Sequence, residues 1–175
     1  YSVKKNIYNL SEYLNKKPEN LIACILDRPR HHEIIKDLKE LKVHIKLITD
    51  GDVSGALLVT DDKYNVDIFL GTGGGPEGVL AASALDTFGC SFQGRFLFNN
   101  EDDKKRASEM GIKDFSKKYE INEIVSGDSI FCATGITSGE LVSGIKIEDD
   151  KFISETLVTH KQSGLKKVIN LEQNI

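Results

Sequence analysis

Three short segments carry residue types that together suit an anionic, phosphorylated ligand. In "GTGGGPEGVLAASAL", Gly71–Leu85, four glycines and a proline precede Glu77, Gly78 and an apolar run. Pro76 suits the first helical position, where its missing N–H would have no partner anyway, so a helix is expected to start there and run from Glu77 through Leu85. The glycines then form the loop ahead of it. Such a loop sets backbone N–H groups beside the positive end of the helix dipole, which suits an anionic oxygen. Glu77 falls in the first turn, where the dipole favours its ionised form, and an ionised carboxylate beside a phosphate site suits a divalent cation. In "DRPRHH", Arg28 and Arg30 flank Pro29 and offer forked donors to a phosphate. In "DGD", Asp50 and Asp52 flank Gly51 and can accept hydrogen bonds from sugar hydroxyls. Together the three segments point to a small phosphorylated polyol.

Each segment also has a plainer reading. Asp50 or Asp52 can simply cap a helix, the arginine loop can be solvated, and the glycines can serve a tight strand-to-helix turn. Gly73, Gly75 and Gly78 satisfy the G-x-G-x-x-G spacing of dinucleotide sites. That fingerprint normally opens the first strand–helix unit and is followed about twenty residues on by an acid ending the second strand. Here it follows the third strand, and Glu101 and Asp102 lie in a hydrophilic stretch. No Lys-Ser/Thr pair follows the last glycine, so it is not a Walker loop. A dinucleotide-binding domain of an oxidoreductase and a non-catalytic phosphosugar-binding module stand as the competing readings. His31, His32, His44 and His160 show no zinc-ligand spacing and read as structural or surface residues. There is no G-x-S-x-G elbow to support a serine nucleophile.

The elements that must position these loops follow from the apolar pattern. "LIACILD", Leu21–Asp27, is a continuous apolar run of strand length, as in a strand buried on both faces. In "HHEIIKDLKELK", Ile34, Ile35, Leu38 and Leu41 fall at helical spacing. "VHIKLI" reads as the next strand, "DGDVSGALLVT" as a turn feeding a short helix, and "VDIFLG" as a third strand entering the glycine loop. Strand and helix alternate, which predicts right-handed crossovers and a mostly parallel sheet covered by helices on both faces, an α/β layered (α/β/α) domain. All three loops then sit at the carboxyl edge of that sheet, where open parallel sheets bind ligands. Further on, "QGRFLF" reads as a strand, "NEDDKKRASEM" as a charged helix ended by Gly111, and "SIFCATGIT" as a strand. "FISETLVTH" and "LKKVINL" read as C-terminal antiparallel strands joined by a two-residue turn near Ser163-Gly164.

Composition sets the outer limits. With 175 residues and 39% hydrophobic content, the chain can bury one ordinary core. The formal charge of -4 lacks the basic excess of a nucleic-acid surface, and no apolar run approaches the roughly 20 residues a membrane helix needs. Neither nucleic acid nor membrane is expected as a partner. Cys24, Cys90 and Cys132 sit among apolar neighbours at non-metal spacings, so buried thiols in a reducing, cytoplasmic setting are expected rather than disulfides. The chain opens at Tyr1 and its one methionine is Met110, so the expectation is a piece of a longer gene product.

"ILDRPRH", "LITDGDV", "GTGGGPEGVLAASAL", "QGRFLF" and "FCATGITSGEL" resemble, in order and approximate spacing, the carboxyl-terminal half of class II fructose-1,6-bisphosphatases. The resemblance covers nearly the whole chain. It implies the two-domain, lithium-sensitive phosphatase fold, with this chain (residues 1–175) as the substrate-binding α/β domain and the N-terminal metal-binding half absent. By the same resemblance Arg28, Pro29, Arg30, Asp50, Gly51, Asp52 and Gly74 contact fructose 1,6-bisphosphate, and Glu77 ligates Mg²⁺ or Mn²⁺. Gly75 stands where the family often has alanine. The remaining metal ligands and the groups that activate water belong, in the family, to the other half. The implied role is hydrolysis of the 1-phosphate in gluconeogenesis and glycerol metabolism, by a homo-oligomer.

Overall fold

The computed structural model describes residues 1–174. Helix α1 (Val3–Leu14) is capped by the Ser2 hydroxyl, which accepts from the Lys5 N–H. It leads to β1 (Ile22–Leu26), α2 (His32–Glu40), β2 (His44–Ile48), α3 (Asp52–Leu57), β3 (Ile68–Phe69) and α4 (Gly75–Phe88). The three strands form a wholly parallel sheet in the order β2-β1-β3, with Ile22 opposite His44 and Ala23 opposite Ile68. Because the chain steps from β1 to one neighbour and then crosses to the other side, right-handed crossovers put the two connecting helices on opposite faces.

The core follows that division. Ile7 of α1 and Leu38 of α2 pack with Leu21, Ala23, Ile45 and Ile68 on one face. On the other, Leu57 of α3 meets Ala81, Ala84 and Leu85 of α4 with Phe69. Leu21, Ile25, Leu26, Leu38 and Leu57 are fully buried, and each such side chain contributes about 1.5–3 kcal/mol relative to an exposed one. Of the helical stripe read from Ile34, Ile35, Leu38 and Leu41, Ile34, Leu38 and Leu41 pack in this core, and Ile35 is buried.

The rest of the chain pairs antiparallel. β4 (Gln93–Arg95) joins β5 (Lys118–Glu120) in a small ribbon flanked by α5 (Glu101–Glu109) and α6 (Ile121–Ile124). β6 (Ile130–Thr134), β7 (Lys146–Glu148), β8 (Lys151–His160) and β9 (Leu165–Asn174) form a second sheet in which β8 carries β6 and β7 along one side and β9 along the other. Phe131 and Leu157 pack onto the α4 cluster, and the Thr87 hydroxyl donates to that of Thr159 at 2.8 Å. Helix α4 therefore lies between two layers, which explains why its sequence is apolar on nearly every side.

The fold is α/β with parallel and antiparallel strands, as the pattern predicts, but three details differ. Helix α4 starts one residue earlier, at Gly75, with Gly74 as its N-cap, so Pro76 occupies the second position. That position also lacks an intrahelical acceptor for its N–H. The hairpin turn spans Lys161–Gly164 rather than two residues, with Gly164 at φ 66°. Antiparallel pairing also begins at β4, well before the tail.

Candidate functional site

The carboxyl ends of β1 and β3 lie side by side, and the loops that leave them are tied together by His31. The ring is completely buried. Its Nδ1 lies 2.8 Å from the Leu26 carbonyl oxygen, and its Nε2 lies 2.9 Å from the Thr72 nitrogen, whose N–H donates to it, and 3.1 Å from the Thr72 oxygen. Arg30, one residue earlier, donates from Nε to the Thr72 carbonyl at 2.5 Å. The backbone of Thr72 in the glycine loop is thus held at both its N–H and its carbonyl by the segment after β1. Pro29 opens the short 3-10 turn that presents both residues.

The second loop closes against the first and the third. The Arg28 guanidinium lies 3.7 Å from the Asp50 carboxylate, whose side chain is 93% exposed. Exposed pairs at this distance contribute little to stability, so the proximity matters as placement. Gly51 sits at φ 88°, in the left-handed region, and is the N-cap of α3. Neither aspartate caps that helix by a side-chain bond, so the capping alternative does not describe them. Asp52 instead turns toward the glycine loop, its Oδ2 3.6 Å from where a Cβ on Gly73 would stand. At Gly74 a side chain would run into the Glu77 carboxylate, which folds back over the loop from the first turn of α4.

Arg28, Arg30, Asp50, Asp52, Gly74 and Glu77 therefore come together on one edge of the sheet. The surface is open and charged, with two guanidinium groups, three carboxylates and the free N–H groups at the start of α4 facing solvent. It can bind an anion and hydroxyl groups. As a cation site it is incomplete: among the described residues no three His, Cys, Asp or Glu side chains gather to hold a metal. Glu77 offers the hard oxygen that Mg²⁺ or Mn²⁺ prefers, but such ions need several.

Other groups with chemical potential lie elsewhere. Burial pushes the Cys24 thiol up to about 11 and raises that of Cys90, so neither is a ready thiolate. Cys132, expected to be buried with them, is instead exposed, because strand alternation in β6 turns it away from α4. The dinucleotide spacing at Gly73, Gly75 and Gly78 does not lead to the expected acid: Glu101 and Asp102 sit in the first turn of α5, a helix capped by Asn100 beyond the β4 ribbon. A Ser-His-Asp grouping at the β8–β9 turn, Ser163, His160 and Asp128, went unread in the sequence because Asp128 is 32 positions from His160. Ser163 accepts from the Leu165 N–H inside the turn, and the grouping serves as a turn lock. Asp128 is held below the usual carboxylate range, first by its hydrogen bond with His160. No helix is long and apolar enough to cross a membrane among the described residues.

A family model described as bacterial fructose-1,6-bisphosphatase, glpX-encoded, matches residues 1–173. Two proteins named D-fructose 1,6-bisphosphatase class 2/sedoheptulose 1,7-bisphosphatase, from Synechococcus sp. (strain JA-3-3Ab) and Trichodesmium erythraeum, are 35% and 33% identical over 93% of this chain and 51% of their own length. A third of the same name, from Synechocystis sp., is 31% identical over 97% of this chain and 53% of its own. The chain spans about half the length of the curated relatives it matches.

Proposed function

From the premise that this chain belongs to the glpX-encoded bacterial fructose-1,6-bisphosphatase family, we propose that it is the substrate-binding half of a metal-dependent sugar bisphosphatase. The reaction is hydrolysis of the 1-phosphate of fructose 1,6-bisphosphate to fructose 6-phosphate and phosphate, a gluconeogenic step. The observation that carries the reading is the convergence of the three loops: Arg30 and His31 on Thr72, Arg28 beside Asp50, and Asp52 beside Gly73. Arginines, hydroxyl acceptors and a helix N-terminus in one place match a phosphorylated polyol, and the family name supplies the same chemistry.

Each residue has a role in this scheme. Arg28 and Arg30 hold phosphate oxygens with forked donors, Asp50 and Asp52 accept from sugar hydroxyls, and Gly51 and Gly74 allow backbone to approach the ligand. Pro29 keeps the arginine loop in its turn. Such anchoring orients the substrate and turns a loose encounter into a near-unimolecular one. Glu77 supplies one ligand to Mg²⁺ or Mn²⁺, an ion that polarises phosphoryl oxygens and acidifies bound water when it is present. The remaining ligands and the group that directs water then come from the half of the relatives that this chain does not span. The chain alone is therefore inactive.

The relatives' names include a second substrate, so sedoheptulose 1,7-bisphosphate is the alternative ligand for the same loops. Calorimetric titration of the chain separates the readings. Binding of fructose 1,6-bisphosphate that weakens in Arg30→Ala is expected, with no response to NAD(H). NAD(H) binding would return the glycine loop to the oxidoreductase reading, and silence toward every phosphosugar would remove the substrate-binding role.

A further inference from the structure

The antiparallel sheet packs on α4 by one face; on the other, Ser154 is buried but much of the surface is open to water. Phe131, Leu157 and Thr159 point toward α4. By strand alternation their neighbours point the other way, and the register aligns them into cross-strand rows. His160 stands between Ile130 and Leu165, Thr156 opposite Ile169, Ser154 opposite Leu171, and Phe152 opposite Ile147. Ile147 is 73% exposed, Ile130 67% and Leu171 53%, so an apolar sheet face meets water. The far edge of β9 adds ten consecutive exposed residues, free of any strand partner among the described residues and without a proline. Sheets that work alone blunt such an edge, cover it or pair it.

We propose that this outer face and the β9 edge seat the other half of the bisphosphatase, the half that the curated relatives carry and this chain does not span. The assignment rests on the functional reading above. Two further observations favour that occupant over a second copy. The relatives hold about as much chain again in the same polypeptide, enough to cover a sheet face. The site also needs carboxylates from outside, and α4 exposes Val79 and Leu80 within one turn of Glu77. The start of α4 lies on the other side of the sheet from this face, so the missing half covers the sheet with one segment and supplies ligands beside Glu77 with another. Pairing at β9 gives it main-chain hydrogen bonds, with the side-chain rows setting the register.

Cys132 reports on this face directly, since it is exposed and paired opposite Val158 in the same rows. Iodoacetamide labelling and amide hydrogen exchange are compared for the chain alone and for the chain joined to its amino-terminal half at the relatives' spacing. Joining should slow Cys132 labelling and β9 exchange at least about tenfold. Ile169→Lys with Leu171→Lys should restore both rates while the circular dichroism of the chain alone stays unchanged. Ile147→Lys offers an independent check should the double variant misfold. Equal labelling and exchange in the two forms overturn the assignment, and phosphate release by such a joined protein would leave the bisphosphatase reading standing without it. Concentration-dependent protection of β9 in a dimer of the chain alone gives the edge to a second copy and also overturns the proposal.

Discussion

The parallel end of the molecule and the β6–β9 sheet solve opposite problems. At the parallel end, exposed functional groups are held by buried ones: Arg30 reaches solvent from a loop that His31 fixes beneath it. In the antiparallel sheet the buried side serves only to dock on α4, and the other side keeps its apolar residues in water. The first arrangement is a finished scaffold for an unfinished site; the second is an unfinished scaffold. Both are explained if catalysis is assembled across a surface that this chain provides only in part.

The sharpest way to break that contrast is Glu77→Gln. It keeps size and helix propensity but removes the ligand charge, so turnover of the chain complemented by its other half should fall more than about 100-fold, the loss exceeding that of an outer-shell change. The melting temperature should stay nearly constant, because a first-turn glutamate supplies only about 0.3–1 kcal/mol. Normal turnover at ordinary metal concentration would leave Glu77 a helix-end charge.

His31→Ala tests the scaffold instead. Losing a buried ring with two hydrogen bonds should destabilise the chain by about 2–4 kcal/mol in denaturant unfolding. A change within experimental error would mean the β1 and β3 loops are not held by this residue. Arg30→Ala should leave the fold intact and raise KM by about 10–100-fold, the equivalent of one charge-assisted contact of about 1.5–3 kcal/mol. Lysine should rescue poorly, since it lacks the planar fork. An unchanged KM removes Arg30 from the site.

The contrast also marks where the sequence could be read. The β1 run, the α2 stripe and the three loops were legible because each depends on neighbours within one element. Helix α1 had a readable pattern too, in Ser2 ahead of Val3, Ile7, Leu10 and Leu14, yet it was not anticipated. The bridge from His31 to Thr72 spans 41 positions and exists only once β1 and β3 are paired. The same holds for β4 with β5 and β6 with β8, whose partners no local period announces. The short turn expected at Ser163-Gly164 missed the part that Lys161 plays, since its carbonyl accepts from the Gly164 N–H.

The smallest expected effect belongs to the turn lock. Asp128 has a lowered pKa in the folded chain, so its stabilisation is present above the ordinary carboxylate value near 4 and is lost as pH falls through the folded value. Asp128→Asn should lower the melting temperature slightly at neutral pH, with the gap closing below about pH 4. A gap that persists in acid would point to packing rather than charge.

The most direct test of the central claim is phosphate release from fructose 1,6-bisphosphate with Mg²⁺ or Mn²⁺, measured for the chain alone, for its mixture with the amino-terminal half, and for that mixture with Glu77→Gln. The account predicts no release above background from the chain alone, release from the mixture, and near-background release once Glu77 is replaced. Turnover by the chain alone, or full turnover by the Glu77→Gln mixture, would contradict it.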